Sequence, residues 1–138
     1  LTPGKFLSLY LFIREVAGFF SIRIQGHTQF IRPIVNPMAQ AAAENKFGEI
    51  DEKDQEKIKA RAAANENFGN FFAQNTFVAA SGVLLIVGTL KSLGYDVAAS
   101  AVSQASLPIA LIVLVIATAS NLLFDRSLAK KYGKKEEE

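Results

Sequence analysis

Residues 97–124 read VAASAVSQASLPIALIVLVIATASNLLF, 28 positions without a charge. Within them, residues 106–124 form a run of 19, about 28 Å of α-helix at ~1.5 Å per residue and close to the hydrocarbon thickness of a bilayer. Pro108 falls in the first turn of that run, where a missing N–H is tolerated. Residues 67–90 (NFGNFFAQNTFVAASGVLLIVGTL) add 24 more positions without a charge. The charges crowd around these runs. Residues 44–61 hold 11 of the 28 charged side chains and residues 125–138 hold nine. Long uncharged runs set between charged blocks are the pattern of membrane spans rather than of a soluble core.

The remaining composition narrows the chemistry. The chain has 138 residues, half of them hydrophobic, no Cys and one His. Disulfides, thiolate metal sites, a Cys nucleophile and a multi-His cage are therefore excluded within it. A net charge of +2 is too small to argue for nucleic acid. There is no phosphate-binding Gly-rich loop followed by Lys-Ser/Thr, and no Gly-x-Ser-x-Gly elbow. No catalytic residue, metal set or cofactor is assigned, and the chain is not read as an enzyme. Residue 1 is Leu rather than Met, so a fragment or processed product is expected.

Working outward, residues 6–20 (FLSLYLFIREVAGFF) follow Pro3-Gly4-Lys5, a helix start. A signal peptide shares the pattern of Lys5 before an apolar run. The Arg14-Glu15 pair and the lack of a clear small-residue cleavage site count against it. Residues 21–28 break the run. Arg32-Pro33 and Asn36-Pro37 then make a continuous regular helix unexpected until residues 38–43. Residues 51–61 (DEKDQEKIKAR) read as a water-exposed connecting helix capped by Asp51. Residues 62–90 are the longest helical candidate, closed near Gly94.

The fold expected is all-α: a polytopic helical membrane fragment with a helical hairpin or re-entrant segment followed by two transmembrane helices. Residues 1–47 form the hairpin with a broken second arm, and 48–64 the charged connecting helix. Residues 65–124 form a two-helix transmembrane hairpin, and 125–138 a charged tail. Residues 44–61 and the tail each carry five basic residues, whereas the loop 91–105 carries one. The positive-inside rule then places connector and tail in the cytoplasm of a multi-pass plasma-membrane protein.

Irregular backbone at membrane depth survives only inside protein or beside a water-filled cavity, and broken helices are the usual construction of transporter binding sites. Residues 22–37 are such backbone if the hairpin enters the bilayer. They bring Gln25, Arg32 and Asn36 as substrate ligands, Arg32 suiting a carboxylate through two parallel bonds. On a helix at ~100° per residue, Glu66, Asn67, Asn70, Gln74 and Ser81 share an arc of about 100°. Asn67, Asn70, Gln74 and the adjoining Asn75 are therefore read as lining a substrate or ion path. The alternative is interhelical hydrogen bonding without transport. Arg14 and Glu15 diverge on the helix, so each is expected to have its own partner. Glu15, Glu66 and His27 are the candidates for carrying H⁺, with Na⁺ open as the coupling ion.

Three runs carry a family resemblance: LYLFIREVAGFF (9–20), GHTQFIRPIVNPMAQAAAENKFG (26–48) and RAAANENFGNFFAQNTFVAASGVLLIVGTLKSLG (61–94). Together they resemble a prokaryotic family of integral membrane proteins, formerly a domain of unknown function. It is described as one of two subunits of a 5-oxoproline (pyroglutamate) transporter and as related to the ion transporter superfamily. The resemblance implies a second membrane subunit as partner beside the lipid bilayer. It also implies a small carboxylate, 5-oxoproline, as substrate, with amides pairing to its lactam. Family members are longer at the N-terminus, so this chain is expected to be the C-terminal part of a subunit. The rival expectation is a non-transporting membrane scaffold or partner-binding subunit. A soluble helical bundle is the third class.

Overall fold

A computed structural model describes residues 1–22 and 26–133. Among them every regular element is helical. In chain order these are α1 (Pro3–Phe19), a π-helical segment (His27–Val35) leading into α2 (Asn36–Phe47), α3 (Glu52–Gln74), α4 (Ser81–Ser92) and α5 (Ala99–Tyr132).

Local chemistry accounts for most boundaries. Pro3 opens α1 with its φ already helical. Phe19 closes it, and Ser21 turns the chain away at φ 57°. Gly48, at φ 74°, ends α2. Asp51 then starts α3 as expected, its carboxylate accepting from the Asp54 N–H at 2.8 Å. Gly94, at φ 88°, terminates the turn after α4.

Three expectations change. The Pro-containing stretch is helical rather than irregular, but wound wide. The Ile31 N–H reaches back five residues to the Gly26 carbonyl at 3.4 Å, and Pro33 sits inside the segment. A π-helical pitch relieves the clash and the missing donor that Pro33 imposes on an α-helix. The helix expected over 62–90 is divided. Its first part is continuous with the charged connector as α3, and it breaks after Gln74. There the Asn75 side chain takes the Phe71 carbonyl at 2.9 Å, and the Thr76 hydroxyl takes that of Ala73 at 2.6 Å. These bonds compete with the backbone ladder, which tightens to i→i−3 spacing through Phe77. The 12-residue α4 left over is short for a span. Finally, α5 is 34 residues long, so Pro108 lies inside it rather than in its first turn.

The helices stack by small residues. Tyr10 meets Glu66 and Gly18 meets Ala73, so α1 and α3 run side by side in the same direction. Gly4 meets Asn121 while the far half of α1 meets residues 107–114, so α5 is antiparallel to both. The π-helical segment and α2 return alongside. Phe30 stacks on Tyr10 with centroids 6.0 Å apart, and Gln40 donates to the Gln55 carbonyl at 2.8 Å. Lys5, the start of α3 and the end of α5 therefore share one end of the bundle. The Asp125 carboxylate caps α1 there, accepting from the Gly4 N–H at 2.7 Å and the Lys5 N–H at 3.2 Å.

The apolar core lies toward that same end, with Leu7, Ile31, Val35, Ile58, Phe124 and Leu128 at its centre. Away from it the bundle is apolar on the outside. Residues of α1 (Leu9, Phe12, Ile13), α4 (Leu84, Leu85) and α5 (Leu111, Ile112, Val115, Ile116) are all at least half exposed. Among the described residues α5 is the one helix long and apolar enough to cross a membrane, with only 22% of its most apolar window buried in the protein. A core helix of a soluble protein would bury that window.

Candidate functional site

The polar groups gather along the seam between α1 and α3. Arg14 Nε donates to Glu66 Oε2 at 2.9 Å, and its Nη2 donates to Asn70 Oδ1 at 2.7 Å. The Tyr10 hydroxyl donates to the same Glu66 oxygen. Gly69 makes the approach possible: a Cβ there would lie 2.7 Å from Arg14 Cγ. One turn away His27, at the start of the π-helical segment, bonds Asn67 Oδ1 at 2.8 Å. An acidic group and two amides on successive turns of α3 thus meet a cation from α1 and an imidazole from the π-helical segment.

The expected residues distribute unevenly over this arrangement. Glu66, Asn67, Asn70 and His27 lie in it. Gln74 ends α3 on an exposed face, and Asn75 turns back onto its own helix. Ser81 begins α4, so the stripe continued through it from α3 belongs to two helices. Arg32 is exposed on the π-helical segment, and Asn36 pairs with Gln40 at 3.3 Å. Gln25 lies outside the described residues.

Glu15 points the other way. It is buried, and its Oε1 has no hydrogen-bond partner among the described residues. Of the pair expected to find separate partners, Arg14 has found one and Glu15 has not. Its carboxyl borders a cleft of about 150 Å³ between α1, the end of α3 and α5.

Two further polar clusters escaped the sequence reading. Asn65 and Asn121, both almost fully buried, exchange amide hydrogen bonds at 3.2 and 2.9 Å between α3 and α5. Beside them Arg61 reaches Ser120, with its guanidinium 4.4 Å from the centre of the Phe124 ring, over a cleft of about 410 Å³. Asn121 is the single amide in residues 106–124, which is the one sign of it in the sequence. At the end of the bundle Asp54 accepts from Lys57 at 2.6 Å, Lys131 at 2.6 Å and Tyr132 at 2.9 Å. Burial alone would raise the Asp54 carboxyl, but those three donors outweigh it and hold the group well below the usual carboxylate range. Lys131 is held above the usual lysine range by Asp51 and Asp54. This clamp ties the connector to the tail, two segments whose charges look freely solvated in sequence.

No three acidic or His side chains gather as metal ligands among the described residues. No curated protein and no solved structure matches the chain. A family model described as "Protein of unknown function (DUF969)" matches residues 1–129. The chain belongs to that uncharacterised family.

Proposed function

We propose that this chain is a membrane-embedded subunit of a secondary transporter for a small carboxylate, working with a second membrane subunit. The observation that carries the reading is the inversion of polarity. A buried Arg14–Glu66 ion pair with Tyr10 and Asn70 lies within helices whose outer faces are Phe, Leu, Ile and Val. An apolar surface of that extent suits lipid and not water. Buried ionic groups in such surroundings are costly and belong to function more often than to structure. The wide π-helical turns and the break at residues 75–80 support the same reading, because broken helices build transporter sites.

5-Oxoproline as the substrate rests on the resemblance of residues 9–20, 26–48 and 61–94 to the 5-oxoproline transporter subunits. Its carboxylate would be held by Arg32, and its lactam would pair with amides of the α3 stripe. The basic residues of connector and tail support a cytoplasmic placement of the end of the bundle where Asp54 and Tyr132 meet, in a prokaryotic plasma membrane. The scaffold alternative draws on the pairing of Arg14 within the cluster, to Glu66 and Asn70.

Full-length protein reconstituted with its partner subunit in liposomes tests the proposal. Uptake of labelled 5-oxoproline is expected, and Arg32→Ala and Asn70→Ala are expected to reduce it. Unchanged uptake in both variants would remove those residues from the site. Absence of uptake with the partner present would remove the transport function and leave the scaffold.

A further inference from the structure

Three groups were candidates for carrying a proton, and their surroundings differ. Glu66 accepts from Arg14 and Tyr10 on one oxygen, the acceptor role of an ionised carboxylate. His27 shares its Nε2 with Asn67 at a partly exposed position. Among the described residues Glu15 has neither a cation nor a donor. Its residue is 8% exposed, and its Oε1 is unpartnered among the described residues. Among the described residues, the others lining its cleft are all uncharged: Phe12, Val16 and Phe19 from α1, Ala73 and Thr76 from the end of α3, and only Leu and Ala from α5. Arg14, its neighbour in sequence, is turned toward Glu66 and Asn70 on the α3 side.

An isolated carboxylate in such a place loses its hydration without compensation, and the group neutralises instead. Only two partners would keep an acidic side chain there: a proton, or a metal cation with its own ligand shell. A hard cation asks for about six oxygen ligands. The one other polar side chain lining the cleft is Thr76, so the side chains there supply far fewer oxygens than that. We propose that Glu15 is the proton-binding site of this chain, neutral at rest and without affinity for Na⁺. The proposal deepens the transport reading and rests on its placement of α1 in lipid. The cleft opens between half-exposed apolar residues, Phe12 and Leu111 among them, so the carboxyl is reached from the lipid side.

A lipid-soluble carbodiimide distinguishes a protonated carboxyl from a cation-bound one. The acid proton passes to one nitrogen of dicyclohexylcarbodiimide, the carboxyl oxygen adds to its central carbon, and the acyl group migrates to nitrogen as a stable N-acylurea. With the full-length subunit in native membrane vesicles, peptide mapping is expected to find the adduct on Glu15 and not on Glu66. The yield is expected to fall as pH rises, to be unaffected by Na⁺, and to vanish in Glu15→Gln. The decisive measurement uses the unmodified protein, so a misfolded variant cannot imitate it. An unmodified Glu15, or protection by Na⁺, overturns the assignment. Uptake of 5-oxoproline without the adduct removes Glu15 while sparing the transporter. The adduct without uptake does the reverse.

Discussion

Arg14 faces α3, where its guanidinium donates to Glu66 and Asn70, and Tyr10 of its own helix donates to the same Glu66 oxygen. Glu15, one residue on, faces α5 and finds Leu and Ala. Both seams of α1 bring small residues into close approach, Gly18 and Gly69 between α1 and α3 and Gly4 between α1 and α5, yet among the described residues the buried acid on the α5 side has no hydrogen-bond partner. A satisfied pair fixes how two helices sit against each other. An unsatisfied acid fixes nothing, and its retention at a buried position calls for another reason. A buried pair can both join helices and serve a site, whereas a buried acid without a partner is not explained by packing.

The largest effect should come from breaking the completed seam. Glu66→Ala leaves the Arg14 cation buried and unpaired, at a cost of about 4 kcal/mol in unfolding free energy. Thermal unfolding in detergent measures it. The double variant Arg14→Met/Glu66→Leu is expected to recover most of that loss, since the ion pair itself contributes little beyond its mutual satisfaction. Equal losses in single and double variants would mean that the pair does more than satisfy itself.

Next comes the crossing that brings the seams together. A Cβ on Gly4 would lie 2.2 Å from the Asn121 carbonyl oxygen, a backbone atom with no freedom to swing away. Gly4→Ala is expected to cost about 2–3 kcal/mol through displacement of α1 from α5 and from its Asp125 cap. An unchanged melting temperature would show that the two helices slide without resistance.

The clamp at the charged end offers a smaller, pH-dependent effect. The Asp54 carboxyl is lower in the folded protein than in the unfolded chain, so its stabilisation is present above the unfolded value and is lost as pH falls through the folded one. Asp54→Asn should remove about 2 kcal/mol and flatten the acid limb of the stability profile. Limited proteolysis of the tail across an acid titration reads it directly. An acid limb that persists in the variant would place its cause elsewhere.

The smallest effect belongs to Glu15. If the carboxyl is already neutral, Glu15→Gln changes neither charge nor shape, and unfolding stability should move by less than about 0.5 kcal/mol. A loss comparable with that of Glu66→Ala would show that Glu15 is ionised and paired, and the contrast between the two seams would disappear.

The all-helical class, the helix starts at Pro3 and Asp51, the stops at Gly48 and Gly94 and the apolar character of residues 106–124 were readable residue by residue. Each depends on local chemistry: a fixed φ, a side chain within reach of its own backbone, or an apolar run. The break after Gln74 was harder to see. Asn75 and Thr76 advertise competition for carbonyls, but in an apolar run a helix tolerates such residues unless packing exploits them. The seam was half legible. The angular arc picked Glu66, Asn67 and Asn70, and said nothing of Arg14 and His27 as their partners.

What the sequence determined by itself is therefore the set of helices and the presence of costly polar groups among apolar ones, because both are properties of single segments. The tertiary structure alone decided which of those groups are satisfied. Pairings such as Asn65 with Asn121 or Asp54 with Tyr132 join positions 56 and 78 residues apart. Such distances along the chain carry no local signature; only the packing of one helix on another brings the donor to its acceptor, or leaves Glu15 without one among the described residues.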